Sequence, residues 1–396
     1  MKIRELRAYV VHAFRCNWVF VKVDTDEGIS GVGEGTVEMR EPTVASAIEE
    51  LSRYLIGKDP FAIEHHIHVM NRDSYWRDGV ILRSALSAVE AALFDIKGKA
   101  LGVPVYELLG GQCRDRVKCY ANGWFAGAET PQQFAAAARA PVAMGFQALK
   151  FDPFGKAYRT LSPAERETAV ETVAAIRAEV GPNVDLLIEA HGRLDVPTAI
   201  RVGEMLAPYH PYWYEEPVPP DSIDALRAVR EKVSTPIAAG ERYFQPQRFV
   251  DAFNRGAIDI PQPDVCHVGG MLETKRVAGL SELYGLTISP HNPNGPIANA
   301  MTLQLAASTP NFGMLETMLS DVDWRDDVVH ETLEMVDGCL LIPDTPGLGV
   351  ELDEAAAAAH PYEARDLRHY TGALTRIRPA NARPWFTVRS TSDVQA

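Results

Sequence analysis

Three glutamates, each closing a short apolar run, recur along this chain at equal intervals: Asp185-Leu-Leu-Ile-Glu189, Tyr212-Trp-Tyr-Glu215 and Ile237-Ala-Ala-Gly-Glu241. Each step is 26 residues, enough for one strand, one helix and their loops. Gln262-Pro-Asp264 and Ser289-Pro-His291 continue the pattern. Repeated βα units that end in polar, reactive side chains describe a (β/α) barrel, whose active site collects the C-terminal ends of successive strands. Three carboxylates brought together there repel one another unless a cation lies between them. An all-oxygen donor set suits a hard ion, most simply Mg²⁺.

The rhythm predicts strands near 118–122, 147–151, 185–191, 212–216, 236–241, 258–265, 286–291 and 312–316. Helix-forming stretches such as Glu165 to Val180 and Thr198 to Leu206 fall between them. Before the rhythm begins, residues 1 to 36 alternate apolar and polar around a turn at Gly28, as a small antiparallel sheet does. Gly31-Val-Gly-Glu-Gly35 lacks the spacing and following helix of a dinucleotide loop, so a strand is the better reading than a phosphate cradle. The pattern is helical from Glu41 to Leu109. His65 and His68 there share one face of a solvated helix, and Tyr75-Trp-Arg77 is either a lid or a packed loop.

After Trp324 the rhythm stops; Cys339-Leu-Leu reads as a strand and Ala355 to Ala359 as a short helix. The expected architecture is α/β: a modified (β/α)8 barrel, (β/α)7β, with an α+β capping domain. Residues 1–117 form the cap, 118–325 the barrel with the active site, and 326–396 a segment packing back on the cap, its last dozen residues disordered.

Charge narrows the function. At −14 and without a basic stripe, the chain is a poor partner for nucleic acid or an anionic membrane. A small anionic substrate remains compatible, because a metal reverses the local field. Five scattered cysteines without CxxC spacing suggest a reducing compartment and no disulfide or zinc framework. With a charged N-terminus and no apolar run of membrane-span length, a cytoplasmic location is expected.

A sheet-plus-helix cap followed by a barrel with carboxylates closing its third, fourth and fifth strands resembles the enolase superfamily, in its mandelate racemase-like branch. Glu215-Glu-Pro, Gly240-Glu, Gln262-Pro-Asp, His291 and Pro346-Gly-Leu-Gly-Val carry the resemblance over nearly the whole chain. Racemases and cycloisomerases of that branch carry Lys-x-Lys at strand two; here the segment is Lys150-Phe-Asp152. Glu189-Ala-His191-Gly-Arg193 is instead similar to the acid-sugar dehydratases, the galactonate dehydratase group above all. Two departures stand out. The first ligand is Glu where Asp is commoner, and Asn292 and Asn294 differ from that group's loop.

The resemblance implies Mg²⁺-dependent loss of water from a sugar acid, a galactonate-like aldonate, to give a 2-keto-3-deoxy acid through a metal-stabilised ene-diolate. It assigns Glu189, Glu215 and Glu241 to the metal and His291 to the C2 proton, with Asp264 supporting His291. His191 would protonate the leaving hydroxyl, and Glu316 would hydrogen-bond the intermediate. Lys150, Asp152, Arg193, Tyr243, Asn17 and Trp76 are candidate substrate contacts by location. Homo-oligomers are common among such barrels. The alternatives are an epimerase, racemase or cycloisomerase on the same scaffold, and a catalytically silent protein that kept the fold.

Overall fold

The computed structural model describes residues 1–331, 333–365, 379 and 381–390. Its N-terminal part is a three-stranded antiparallel sheet, β1 (Ile3–Ala13), β2 (Cys16–Thr25) and β3 (Ser30–Glu34). Helices α1 (Glu41–Leu55), α2 (Ile63–His68), α3 (Val80–Leu101) and α4 (Val105–Leu108) follow. The glycine repeat is explained by close packing. A Cβ on Gly31, Gly33 or Gly35 would strike the backbone carbonyl of Ala92, Ala88 or Ser84, one helical turn apart on α3. The period of two on the strand thus meshes with the period of four on the helix. We expect Gly33→Ala to cost about 2–3 kcal/mol in urea unfolding, because backbone and not a flexible side chain meets the new methyl.

Six βα units, a seventh helix preceded by a single β-bridge, and a final strand make the barrel. They run β4 (Arg116–Asn122), α5 (Pro131–Ala143), β5 (Ala148–Phe151), α6 (Pro163–Val180), β6 (Asp185–Glu189) and α7 (Val196–Leu206). Next come β7 (Trp213–Glu215), α8 (Ile223–Arg230), β8 (Ile237–Ala239), α9 (Pro246–Asn254), β9 (Ile260–Pro261) and α10 (Met271–Leu283). Then α11 (Pro296–Ser308) and β10 (Leu315–Met318) complete the series. Parallel pairing of β10 with β4 closes the ring. Capping boxes at Thr130 and Ser162 and the side chain of Asp195 start α5, α6 and α7.

Two predicted strands shrink the most. The expected strand at 258–265 is reduced to β9, since Pro261 and Pro263 carry no N–H. The one at 286–291, ending before Pro290, survives as an Ile288–Phe312 bridge plus the bond from Ser289 N to Pro261 O.

Cap and barrel share one apolar cluster, with Met271, Ile297 and Met301 packed among residues of β1, β2 and α3. Two buried cap carboxylates reinforce it at helix N-termini, where backbone N–H groups are otherwise unpaired. Glu90 accepts from Met271 N and Leu272 N at α10, and Glu34 from Gly295 N and Ala298 N at α11.

The segment beyond 325 contains α12 (Arg325–Val328), β11 (Val329–His330), β12 (Glu334–Val336), β13 (Cys339–Leu341), β14 (Glu351–Leu352), α13 (Glu354–Ala359) and β15 (Thr387–Arg389). It divides between two neighbours. Strand β13 pairs with β4 of the barrel, whereas Pro361 bridges Val11 and Leu348 N donates to Asp95 of the cap. Of the last dozen residues, expected to be disordered, 385–390 are ordered: Trp385 and Phe386 are buried and β15 pairs with β12. Residues 391–396 lie outside the described residues.

Candidate active site

Inside the barrel, residues two apart on each strand face the same way. Tyr120, Ala148, Leu187, Trp213 and Met314 therefore fill an apolar layer. Asn122, Lys150, Glu189, Glu215 and Glu316, each two positions on, form a polar layer at the strands' C-terminal ends. Trp213 joins the layers by donating to Glu215 Oε2 at 3.0 Å.

Glu189, Glu215 and Glu241 converge, with one carboxylate oxygen from each lying within 4.8 Å of the others. Lys150 stands among their neighbours, its Nζ 2.8 Å from Glu215, 3.2 Å from Glu316 and 3.4 Å from Glu189. Burial and the Glu215 charge together push Glu189 well above the usual carboxylate range, despite Lys150. Its Oε2 is buried with no hydrogen-bond partner. A buried oxygen met only by the 3.4 Å ion pair with Lys150, an all-oxygen donor set and more carboxylates than one ammonium can balance fit a hard divalent cation.

Two histidine–aspartate pairs adjoin this cluster. His291 Nδ1 lies 2.7 Å from Asp264 Oδ2, and its Nε2 is 3.4 Å from Glu241. Burial alone would lower His291, but Glu241 and Asp264 outweigh it and raise the ring to about 10. Asp264 also accepts from Cys266 N at 2.7 Å and from Asn294 Nδ2 at 2.9 Å. The second pair is His191 Nδ1 with Asp152 Oδ2, also at 2.7 Å.

His191 does not continue strand alternation past Glu189, as the expected strand 185–191 would require. The chain turns there, with φ of 51° at His191 and 62° at Gly192, and His191 N donates to Glu189 Oε1 at 2.5 Å. Glu316 accepts from Asn122 Nδ2 and Asn292 N, both at 2.7 Å. Burial opposes its ionisation, yet Lys150 and His291 hold it down at about 2.

A pocket lined by Lys150, Asp152, Glu189 and His191 opens above. Four of the expected substrate contacts lie elsewhere. Arg193 is 1% exposed, clamped by Asp152 at 2.6 Å and by the carbonyls of Ala190 and Gly155. Asn17 exchanges hydrogen bonds with the backbone of Glu363, and Tyr243 packs edge-on against Phe249 in the barrel wall. Trp76 is 81% exposed beside Tyr75, and it lines a different pocket together with α1 and α3 residues.

Sequence reasoning also missed residues. Arg15, in the turn between β1 and β2, lines the active pocket, as does Asn122. His267 lies 3.6 Å from Asp264 and 3.1 Å from the cap carbonyl of Thr36; the Asp264-x-x-His267 spacing was the available signal.

Comparison with known proteins places this architecture. Residues 133–356 match the family model described as enolase C-terminal domain-like, and 9–110 match the mandelate racemase/muconate lactonizing enzyme N-terminal domain. The chain belongs to the enolase superfamily, in its mandelate racemase-like branch. D-gluconate dehydratase of Thermoproteus tenax is 37% identical over 379 residues, spanning 94% of this chain and 73% of that protein. D-galactonate dehydratase of Pectobacterium atrosepticum is 36% identical over 375 residues, 93% and 97% of the respective chains. The crystal structure of a mandelate racemase/muconate lactonizing enzyme from Sulfitobacter superposes with a TM-score of 0.87 at 33% identity, covering 96% of this superfamily member and 99% of that chain.

Proposed function

We propose that this protein is an acid-sugar dehydratase that converts an aldonate of the gluconate or galactonate kind to its 2-keto-3-deoxy acid with Mg²⁺ held by Glu189, Glu215 and Glu241. The observation that carries this reading is the doubling of the histidine–aspartate pair, with His191 beside Glu189 and His291 beside Glu241. Elimination of water from adjacent carbons needs one group to take a proton and another to give one. The names of the relatives, both aldonate dehydratases, support the same choice. In this reading residues 1–117 cap the site and 118–325 form the barrel that carries it.

His291 removes the C2 proton, with Asp264 fixing its Nδ1 and leaving the exchange to Nε2. His191, its Nδ1 held by Asp152, gives a proton to the C3 hydroxyl, so that the C3–O bond breaks and water leaves. The resulting C2=C3 enol tautomerises to the ketone. Glu316, close to Lys150 and His291, sits where a carboxyl can hydrogen-bond the enolised acid. A divalent cation held by Glu189, Glu215 and Glu241 would supply positive charge that offsets the substrate carboxylate and the Glu241 charge beside His291.

The test is incubation with Mg²⁺ in D₂O against hexonates, pentonates and aldarates, followed by NMR and mass spectrometry. A 2-keto-3-deoxy product from an aldonate is the expected result. Deuterium at C2 with every hydroxyl intact would make the protein an epimerase or racemase instead, and silence on every acid would sink the dehydratase reading.

A further inference from the structure

The cap contributes one charged side chain to the active pocket. Arg15 sits in the tight turn joining β1 to β2, where Phe14 has φ of 64°, and lines the pocket with Lys150, Asp152, Glu189 and His191. Its guanidinium is fixed on two sides. Nη2 donates to the carbonyl of Pro293, in the loop after His291, at 2.8 Å, and Nη1 lies 2.9 Å from Glu38 Oε1. Glu38 is not among the residues lining the pocket, and its charge acts on the guanidinium through this ion pair.

The other described residues lining the pocket, Asn122, Gly123, Phe125, Ala126, Phe151, Met318 and Ser320, are uncharged. Among the described residues, each cationic side chain at the pocket wall has a carboxylate partner: Lys150 has Glu215 at 2.8 Å, Arg15 has Glu38 at 2.9 Å, and His191, when protonated, has Asp152 at 2.7 Å. The substrate's reacting carboxylate has the glutamate-held cation to meet. A second carboxylate at the other end would be desolvated against a cation whose field is already cancelled. A hydroxyl there needs only a hydrogen-bond partner, which Arg15 can supply.

Resting on the dehydratase reading above, we propose that Arg15, its charge offset by Glu38, reads the far end of the substrate, and that the pair selects an aldonate's neutral polyol end over an aldarate's second carboxylate. Glu38 is a positioning residue in this arrangement, and acts only through Arg15.

The experiment compares matched six-carbon aldonates and aldarates with wild type, Glu38→Gln and the Glu38→Gln/Arg15→Met double variant. Turnover and calorimetric affinity are both read in Mg²⁺. Glutamine keeps an oxygen for Nη1 but removes the offsetting charge. The aldarate-to-aldonate ratio should rise about tenfold in Glu38→Gln, in kcat/KM and in affinity alike, and fall back in the double variant. A ratio that stays within about twofold of wild type in Glu38→Gln, or rises equally in the double variant, overturns the proposal. If no acid is turned over, the dehydratase reading fails, but the affinity ratio still decides the role of Arg15. Failure of both acids to bind any of the three proteins overturns both.

Discussion

A His191→Asn variant should lose water elimination by about 10²–10⁴-fold, the usual worth of a positioned general acid, while continuing to exchange the C2 proton for deuterium. The two halves of the reaction separate because each histidine has its own aspartate: Asp152 holds His191, and Asp264 holds His291. Asparagine suits the position, since it tolerates the left-handed backbone at φ of 51° better than most residues. The N–H that donates to Glu189 Oε1 also survives the change. His291→Asn should abolish exchange and elimination together. NMR in D₂O reads both outcomes in one tube. Unchanged water loss in His191→Asn would remove it as the acid, and loss of exchange along with elimination would mean that His191 also helps form the site.

Strand-end residues were the most legible part of this chain. Glu189, Glu215 and Glu316 declare themselves because an apolar run must stop where the barrel interior meets the substrate chamber, and the period of two then fixes which way each points. Residues beyond a strand's last regular position escaped that logic. His191 reaches the pocket through a turn and not through alternation, and Arg193, two residues on, dives back under it to clamp Asp152. Asp152, expected to face the substrate, does line the pocket, and it also lies between His191 and Arg193.

The cap was least legible, because no periodicity says which turn of one domain will meet the pocket of another. Asn17 and Arg15 are two residues apart, but Asn17 lies within β2 and points at Glu363, while Arg15 occupies the turn and reaches the site. The helical spacing that pairs Gly31, Gly33 and Gly35 with α3 was equally hidden, since a glycine shows in sequence only what it lacks.

Chelation should abolish turnover and added Mg²⁺ restore it, and the same glutamates predict an effect on stability with a change of sign. Without a cation, Glu189, Glu215 and Glu316 share the ammonium of Lys150, while Glu241 adds a fourth carboxylate close by. Glu189 is the least satisfied of them, its Oε2 lacking a hydrogen-bond partner and its carboxyl pushed upward by burial and Glu215. Removing its charge by Glu189→Gln should therefore raise the melting temperature in EDTA. In saturating Mg²⁺ the order should reverse. Wild type then gains about 2.7 kcal/mol at a hundredfold excess over Kd, and the variant, short of one ligand, gains far less. Melting both proteins with and without the ion checks this independently of any substrate. A variant less stable than wild type in EDTA would show that Lys150 already balances the cluster. No Mg²⁺-dependent rise in wild type would mean that the three glutamates do not bind the ion, and the proton chemistry assigned to His291 would lose the charge it leans on.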